Sequence, residues 1–266
     1  MERAVGLTSQ VCELAVQAGK RIMDIYHNGA AVTWKEDASP LTAADEASHN
    51  FLVQSLKSLL PETAVVSEES DDVTNGSVDT GRSFWLVDPL DGTKEFLKGT
   101  NEFTVNIALI EAGSPLLGVI YAPALSLTYY GARNLGSWRQ AGDLPATRIS
   151  TRPAVSSHLT VVASKDHVGP LVGVMLARLT NPRLQSMGSS LKFCLVAEGK
   201  ADIYLRDLPT MEWDTAAAQC IVEAAGGGVY SPDGKPLLYG KPGLKNPAIM
   251  TVGDTRLDWR RLIAQV

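Results

Sequence analysis

The sequence predicts an α+β first half followed by an α/β second half. Three observations carry that expectation. Two helical stretches open the chain. A series of strands separated by turns follows, as far as Tyr130. From Leu159 onward, strand-like and helix-like stretches alternate. With 266 residues, 45% hydrophobic and 20% charged, the chain is long enough for one large domain or two small ones. The polar, proline-containing run from Gly142 to Pro153 is the expected boundary, dividing residues 1–146 from 147–266.

Val11, Leu14, Ala15, Ala18, Ile22 and Ile25 recur at three- and four-residue steps, which predicts a helix from Thr8 to Tyr26. Thr8 or Ser9 is its expected cap. After the polar run Lys35–Ser39 and Pro40, Thr42 is the expected N-cap of a second helix reaching Leu60, which puts Asp45 in its first turn. An aspartate there complements the helix dipole, and it is equally placed to act as a rigidly held base.

Ala64–Ser67 reads as a short strand ending in Glu68-Glu69. Asp71–Gly76 reads as an exposed loop. Phe84–Val87 reads as a buried strand that Pro89 stops, because proline lacks an N–H and has a fixed φ. Asp88 and Asp91 then flank a turn, Gly92 permits close approach by a ligand, and Thr93 adds a hydroxyl. Such turn dipeptides are common, but hard oxygen ligands in this arrangement also suit Mg²⁺. Phe103–Ile110, Pro115–Tyr121 and Leu125–Tyr130 are further expected strands.

Beyond the boundary, Leu159–Ala163, Arg183–Met187, Ala201–Leu205 and Ala248–Val252 are expected strands. Val168–Leu179, Ser190–Ala197, Thr215–Ala225 and Asp254–Ala264 are expected helices. Gly188-Ser189-Ser190-Leu191-Lys192 joins a strand to a helix start, where free N–H groups, hydroxyls and a lysine suit a phosphate. Asp214 sits at another helix start, and His167 in a loop after a strand.

Composition excludes several classes. A net charge of −5 gives no basic footprint for nucleic acid. No apolar run is long enough to span a bilayer. Cys12, Cys194 and Cys220 lack metal or disulfide spacing and read as free thiols in a reducing compartment, so a cytoplasmic location is expected. The recurring signal is acidic: Glu68, Asp88 with Asp91, and Asp214 each lie at a strand end or helix start. If they converge, their repulsion calls for two divalent cations, a standard device of phosphoryl hydrolysis.

These motifs, in this order, resemble the inositol monophosphatase-like superfamily of Mg²⁺-dependent, lithium-sensitive phosphatases through nearly the whole chain. Within it, the sequence is most similar to bacterial 3′(2′),5′-bisphosphate nucleotidases of the CysQ type, which remove the 3′-phosphate of adenosine 3′,5′-bisphosphate from sulfate assimilation to give AMP. The post-motif Lys94-Glu95-Phe96-Leu97-Lys98 follows the nucleotidase pattern rather than the Thr-Asn-Phe-x-His type of inositol monophosphatases. The Ser164-Lys165-Asp166-His167 loop departs from the usual Ser-Arg-Ser-His.

The resemblance implies a layered α-β-α-β-α sandwich of the sugar phosphatase type. It implies two or three Mg²⁺ ions held by Glu68, Asp88, the Leu90 carbonyl, Asp91 and Asp214. Thr93 with Asp45, and Glu68 beside them, would activate the attacking water. Asp91, Gly92, Thr93, His167, Ser189, Ser190, Lys192 and Asp214 would line the substrate site. A nucleotide substrate, a monomer or homodimer, and peripheral attachment at the inner membrane are implied as well. The alternative substrate class is inositol or another small sugar phosphate.

Overall fold

The computed structural model describes residues 2–28, 32–34, 40–70, 81–163, 169–259 and 261. The expected Lys35–Ser39 run, the Asp71–Gly76 loop and the Ser164–His167 loop with His167 lie outside the described residues.

The elements in order are α1 (Glu2–Asn28), β1 (Val32–Trp34), β2 (Pro40–Thr42), α2 (Ala43–Leu59), β3 (Ala64–Ser67), β4 (Phe84–Asp91), α3 (Thr93–Lys98), β5 (Thr104–Glu111) and β6 (Ser114–Ala122). Next come β7 (Leu127–Ala132), β8 (Gly136–Ala141), β9 (Thr147–Ile149), β10 (Thr160–Ala163), α4 (Pro170–Arg178), β11 (Arg183–Ser186), α5 (Leu191–Ala197) and β12 (Ile203–Arg206). The last are β13 (Thr210–Met211), α6 (Ala216–Ala224), β14 (Gly228–Tyr230), β15 (Lys245–Asn246) and β16 (Ile249–Val252).

Two large sheets and three helical layers account for the architecture, with β1–β2 and β13–β15 as two small antiparallel pairs beside them. β3 to β9 form a seven-stranded sheet in chain order, with β3 and β4 parallel and the rest antiparallel. The second sheet has five strands in the order β11-β10-β12-β16-β14. Alternation along β4 shows how the first sheet is covered. Trp85 and Val87 join a core with Val11, Ala15, Ala18 and Ile22 of α1 and with Leu52 and Leu56 of α2. Phe84 and Leu86 face the other way, toward Leu191, Phe193, Ala217 and Ile221 of α5 and α6. That same core reaches Val162, Tyr204 and Ile249 of the second sheet. The far face of the second sheet, with Val161, Ile203 and Val252, packs against Val172 and Met175 of α4. The result is an α-β-α-β-α sandwich, as the resemblance implies. Gly118 makes the central contact possible: a Cβ there would lie 2.3 Å from the Ala217 carbonyl oxygen, so α6 lies directly on β6.

Several local expectations need correction. α1 begins at Glu2, so Thr8 and Ser9 lie within the helix and do not cap it. β4 continues through Pro89 to Asp91. The proline is tolerated because the register with β5 shifts between Asp88 and Asp91, and the pairing with β3 has already ended at Val87. A short helix, α3, follows at once, with Gly92 as its N-cap at φ 90°. Arg261 is helical and residues 260 and 262–264 lie outside the described residues, but residues 254–259 form turns and bends, so the expected last helix does not start at Asp254. There Arg256 donates to both Asp254 carboxylate oxygens and the Trp259 indole N–H donates to the Asp254 carbonyl. The polar run at 142–153 holds β9, which pairs with β8 before the chain enters the second sheet.

Candidate active site

The acids stand where the parallel pair β3–β4 ends. Glu68 follows β3, and its N–H donates to the Val87 carbonyl at 3.1 Å. Asp88 is 1% exposed and sits at the bulge, where its Oδ1 accepts from the Leu90 N–H at 3.1 Å. The Ser48 hydroxyl on α2 donates to the Pro89 carbonyl at 2.8 Å and pins the bulge from below. Asp214 ends a 3₁₀ turn, Glu212–Asp214, and accepts from the Met211 N–H at 2.8 Å. Glu68, Asp88 and Asp214 bring one carboxylate oxygen each to within 4.8 Å of one another.

These groups repel. Burial first, then the carboxylates of Glu68, Asp91, Asp214 and Asp45, hold Asp88 well above the usual carboxylate range. Burial, then Asp91 and Glu68, do the same to Asp214, against a smaller opposing pull from the Met211 N–H and Arg206. Hard oxygen donors gathered this closely, and repelling one another, match what a divalent metal ion requires, so the cluster fits such an ion.

Asp91 sits on the same ledge. Its Oδ2 accepts from the Ser190 N–H at 2.6 Å and lies 2.9 Å from the Ser190 hydroxyl. Asp45 is held from two sides. As the N3 residue of a capping box, its Oδ2 accepts from the Thr42 N–H at 2.8 Å and the Thr42 hydroxyl at 2.6 Å. Its Oδ1 is 3.2 Å from the Thr93 hydroxyl, which also lies 3.3 Å from the Leu90 carbonyl. The five acids and Thr93 therefore form one connected site.

Beside the acids opens a cleft of about 250 Å³ whose lining includes Gly92, Thr93, Ser189, Ser190, Lys192 and Asp214. Of the expected site residues only His167 falls outside the described ones. Lys192 is 5% exposed, and burial pushes its ammonium down to about 8 against the pull of Asp91, Glu95 and Glu102. Ser189 adopts φ +45°, and its buried hydroxyl has no hydrogen-bond partner among the described residues. Of the N–H groups in this segment, that of Ser190 is taken by Asp91.

Sequence reasoning missed Glu95, Tyr204, Arg206 and Thr210, which also line the cleft. The Nε of Arg206 is buried without a hydrogen-bond partner among the described residues. One signal was available. Arg206 ends a strand, the same position that drew attention to Glu68 and Asp88.

Comparison with known proteins agrees with this geometry. A model of the inositol monophosphatase family matches residues 6–259. A 3′(2′),5′-bisphosphate nucleotidase CysQ from Salmonella typhimurium is 44% identical over 236 residues, covering 88% of this chain and 94% of that protein. The Haemophilus influenzae protein of the same name is 34% identical over 258 residues, 96% of each chain. Among solved structures, CysQ from Bacteroides thetaiotaomicron superposes with a TM-score of 0.76 at 38% identity, covering 90% of this chain and 94% of that one. The SuhB protein of Bartonella henselae shares the fold, with a TM-score of 0.78 at 23% identity over 98% of this chain and 99% of its own. A match spanning almost the whole chain, together with acids gathered at the end of β3 and β4, makes this protein a member of the inositol monophosphatase family.

Proposed function

We propose that the protein is a Mg²⁺-dependent phosphomonoesterase that hydrolyses the 3′-phosphate of adenosine 3′,5′-bisphosphate to AMP and phosphate. The observation that carries the reading is the meeting of Glu68, Asp88 and Asp214 within 4.8 Å beside a cleft that also holds Lys192 and Arg206. Nucleotidases of this activity are the relatives at 44% identity.

In this reading Glu68, Asp88, the Leu90 carbonyl, Asp91 and Asp214 hold two or three Mg²⁺ ions. Bound cations supply polarisation of a phosphoryl oxygen and a lowered pKa for water. The chain's own part is to orient and to move a proton. Thr93 has one hydroxyl proton, and donating it to Asp45 Oδ1 leaves its lone pairs to accept from water. Asp45 is fixed for this task because Thr42 holds its other oxygen. Glu68, at the end of β3 and in the same cleft, would offer that water a second carboxylate. Ser189 presents a hydroxyl with no partner among the described residues, while Lys192 and Arg206 offer positive charge to the nucleotide's remaining phosphate. Lithium inhibition and a role in sulfate assimilation and nucleotide recycling belong to the same reading. So do a cytoplasmic location and peripheral contact with the inner membrane; among the described residues no helix is long and apolar enough to cross a membrane.

Phosphate release from adenosine 3′,5′-bisphosphate with Mg²⁺, and then with a chelator, tests the reading. Activity should require the cation and should exceed that on inositol 1-phosphate. Full activity in chelator would overturn the metal mechanism, and preference for the inositol ester would overturn the substrate.

A further inference from the structure

Ser190 hydrogen-bonds to both acidic segments, at Asp91 and at Asp214. It caps α5 and is 2% exposed. Its N–H and its hydroxyl both address Asp91 Oδ2, at 2.6 and 2.9 Å. The hydroxyl is also 3.0 Å from the Asp214 carbonyl, and the Asn106 amide on β5 donates to it at 2.9 Å. A hydroxyl has one proton and two lone pairs. With the Asn106 N–H occupying a lone pair, the proton is directed at Asp91 or at the Asp214 carbonyl. Asn106 is itself oriented, because the Thr104 hydroxyl donates to its Oδ1 at 3.1 Å. Ser190 thus has its hydrogen bonds within the protein, whereas adjacent Ser189 has a hydroxyl with no partner among the described residues.

We propose that Ser190 is a positioning residue that fixes the Asp91 carboxylate against the Asp214 segment, with Asn106 setting the direction of its hydroxyl. This replaces the substrate-binding role expected for Ser190, and it rests on the reading of the acids as a cation site. A carboxylate attached by one rotatable bond can turn either oxygen to the cleft. The Ser190 N–H donates to Oδ2 with the Ser190 hydroxyl 2.9 Å away, and the Thr104 hydroxyl and Asn106 amide lie 3.5 Å from the same oxygen; together they remove that freedom and leave Oδ1, which makes no described hydrogen bond, to face a cation. The same hydroxyl joins β4 of the first sheet to the turn that carries Asp214, so the acids contributed by distant parts of the chain keep one spacing.

Titration calorimetry of the metal-free protein with Mn²⁺, alongside steady-state kinetics, provides the test. Ser190→Ala should weaken Mn²⁺ binding roughly tenfold or more, in the range seen when a metal ligand loses its supporting partner. KM at saturating cation should stay within about twofold, because the substrate does not meet this hydroxyl. Ser190→Thr, which keeps the oxygen, should recover most of the Mn²⁺ affinity. Ser189→Ala should show the reverse pattern, a raised KM with Mn²⁺ binding unchanged. If Ser190→Ala binds Mn²⁺ like the wild type and raises KM, the residue is a substrate contact and the proposal fails. Should Ser190→Ala not fold, Ser190→Cys, which keeps the size and replaces the hydroxyl by a weak donor, decides by the same titration: weakened binding supports the proposal and an unchanged constant overturns it. A wild type that binds no Mn²⁺ refutes the cation site itself, an outcome separate from either result on Ser190.

Discussion

The two walls of the cleft are built on different principles. Glu68, Asp88 and Asp91 hang from adjacent ends of β3 and β4, whose parallel register fixes them before any partner arrives. Their mutual repulsion is held in place by a backbone that is fully buried along β4 from Phe84 to Leu90. Ser189, Lys192, Tyr204 and Arg206 come instead from a capping loop, a short helix and a strand of the second sheet. That wall keeps its position through contacts with the first: the Gly188 N–H donates to the Glu102 carboxylate at 2.8 Å, and Ser190 bonds to Asp91. The acidic wall is therefore strained electrostatically and secure mechanically, and the other wall is the opposite. Charge removal and overpacking should separate them.

The largest effect belongs to the acidic wall. Asp88→Asn should lower activity beyond the roughly 100-fold upper end for partners that only support a metal ligand. The same change should raise the melting temperature of the chelated protein at pH 7. The sign follows from the raised pKa. Above about pH 4, where an unfolded aspartate releases its proton, folded Asp88 still holds one, so wild-type stability falls as pH climbs toward the folded value. Asparagine does not titrate, so its melting curve should vary less across this window. Mg²⁺ should stabilise the wild type more at pH 8 than at pH 5, because cation binding favours the deprotonated acids. Thermal unfolding from pH 4 to 8, with chelator and with Mg²⁺, checks both parts; an Asp88→Asn protein no more stable than wild type in chelator would show that repulsion is not stored there.

Gly188→Ala should act on the second wall by packing alone. A Cβ at this position would lie 2.8 Å from the Glu102 carbonyl oxygen and 2.8 Å from Glu95 Cγ, and the backbone oxygen has nowhere to retreat. Overpacking of this kind costs about 1–3 kcal/mol. Urea unfolding should show that loss, and KM should rise more than kcat falls as the Ser189–Lys192 loop shifts. A stability loss with unchanged KM would mean that the loop does not depend on Glu102 for its place.

The same contrast explains what the sequence made legible. Asp88-Pro89-Leu90-Asp91-Gly92-Thr93 lies in one stretch, so residue types and spacing alone expose its chemistry. Glu68 is visible because it follows a strand end, as Asp88 does, and Asp45 because Thr42 gives it a helix start. The fold followed from periodicity wherever one face is apolar, as in α1 and α2. The bulge at Pro89 was not legible, since a proline inside a strand is acceptable only when the register breaks, and the break is made by β5. Arg206 and Tyr204 were hidden in an ordinary strand, and their proximity to Asp91 exists only after β12 packs over α5. Ser190 was recognised as a site residue, but its partner Asn106 is 84 positions away, and no spacing rule connects them.

The last effect concerns the charge on the second wall and is confined to alkaline pH. Lys192 is buried, and its ammonium is pushed down to about 8 chiefly by desolvation. In the free enzyme the positive group offered to a phosphate is lost as pH rises through that value. The alkaline limb of kcat/KM for the bisphosphate should therefore fall with an apparent pKa near 8, while kcat at saturating substrate changes little. Loss of one charge-assisted hydrogen bond, about 1.5–3 kcal/mol, corresponds to roughly a tenfold drop or more. Lys192→Arg should remove this limb, because guanidinium does not lose its proton in the accessible range. Stability moves in the opposite sense: the unfolded lysine titrates near 10.4, so the unfolded chain binds more protons between about pH 8 and 10, and the cost of burying the charge is relieved across that window. A kcat/KM profile flat to pH 9.5 would show that Lys192 keeps its proton through the flanking Glu95 and Glu102, and the second wall would then carry a fixed charge, as the acidic wall does.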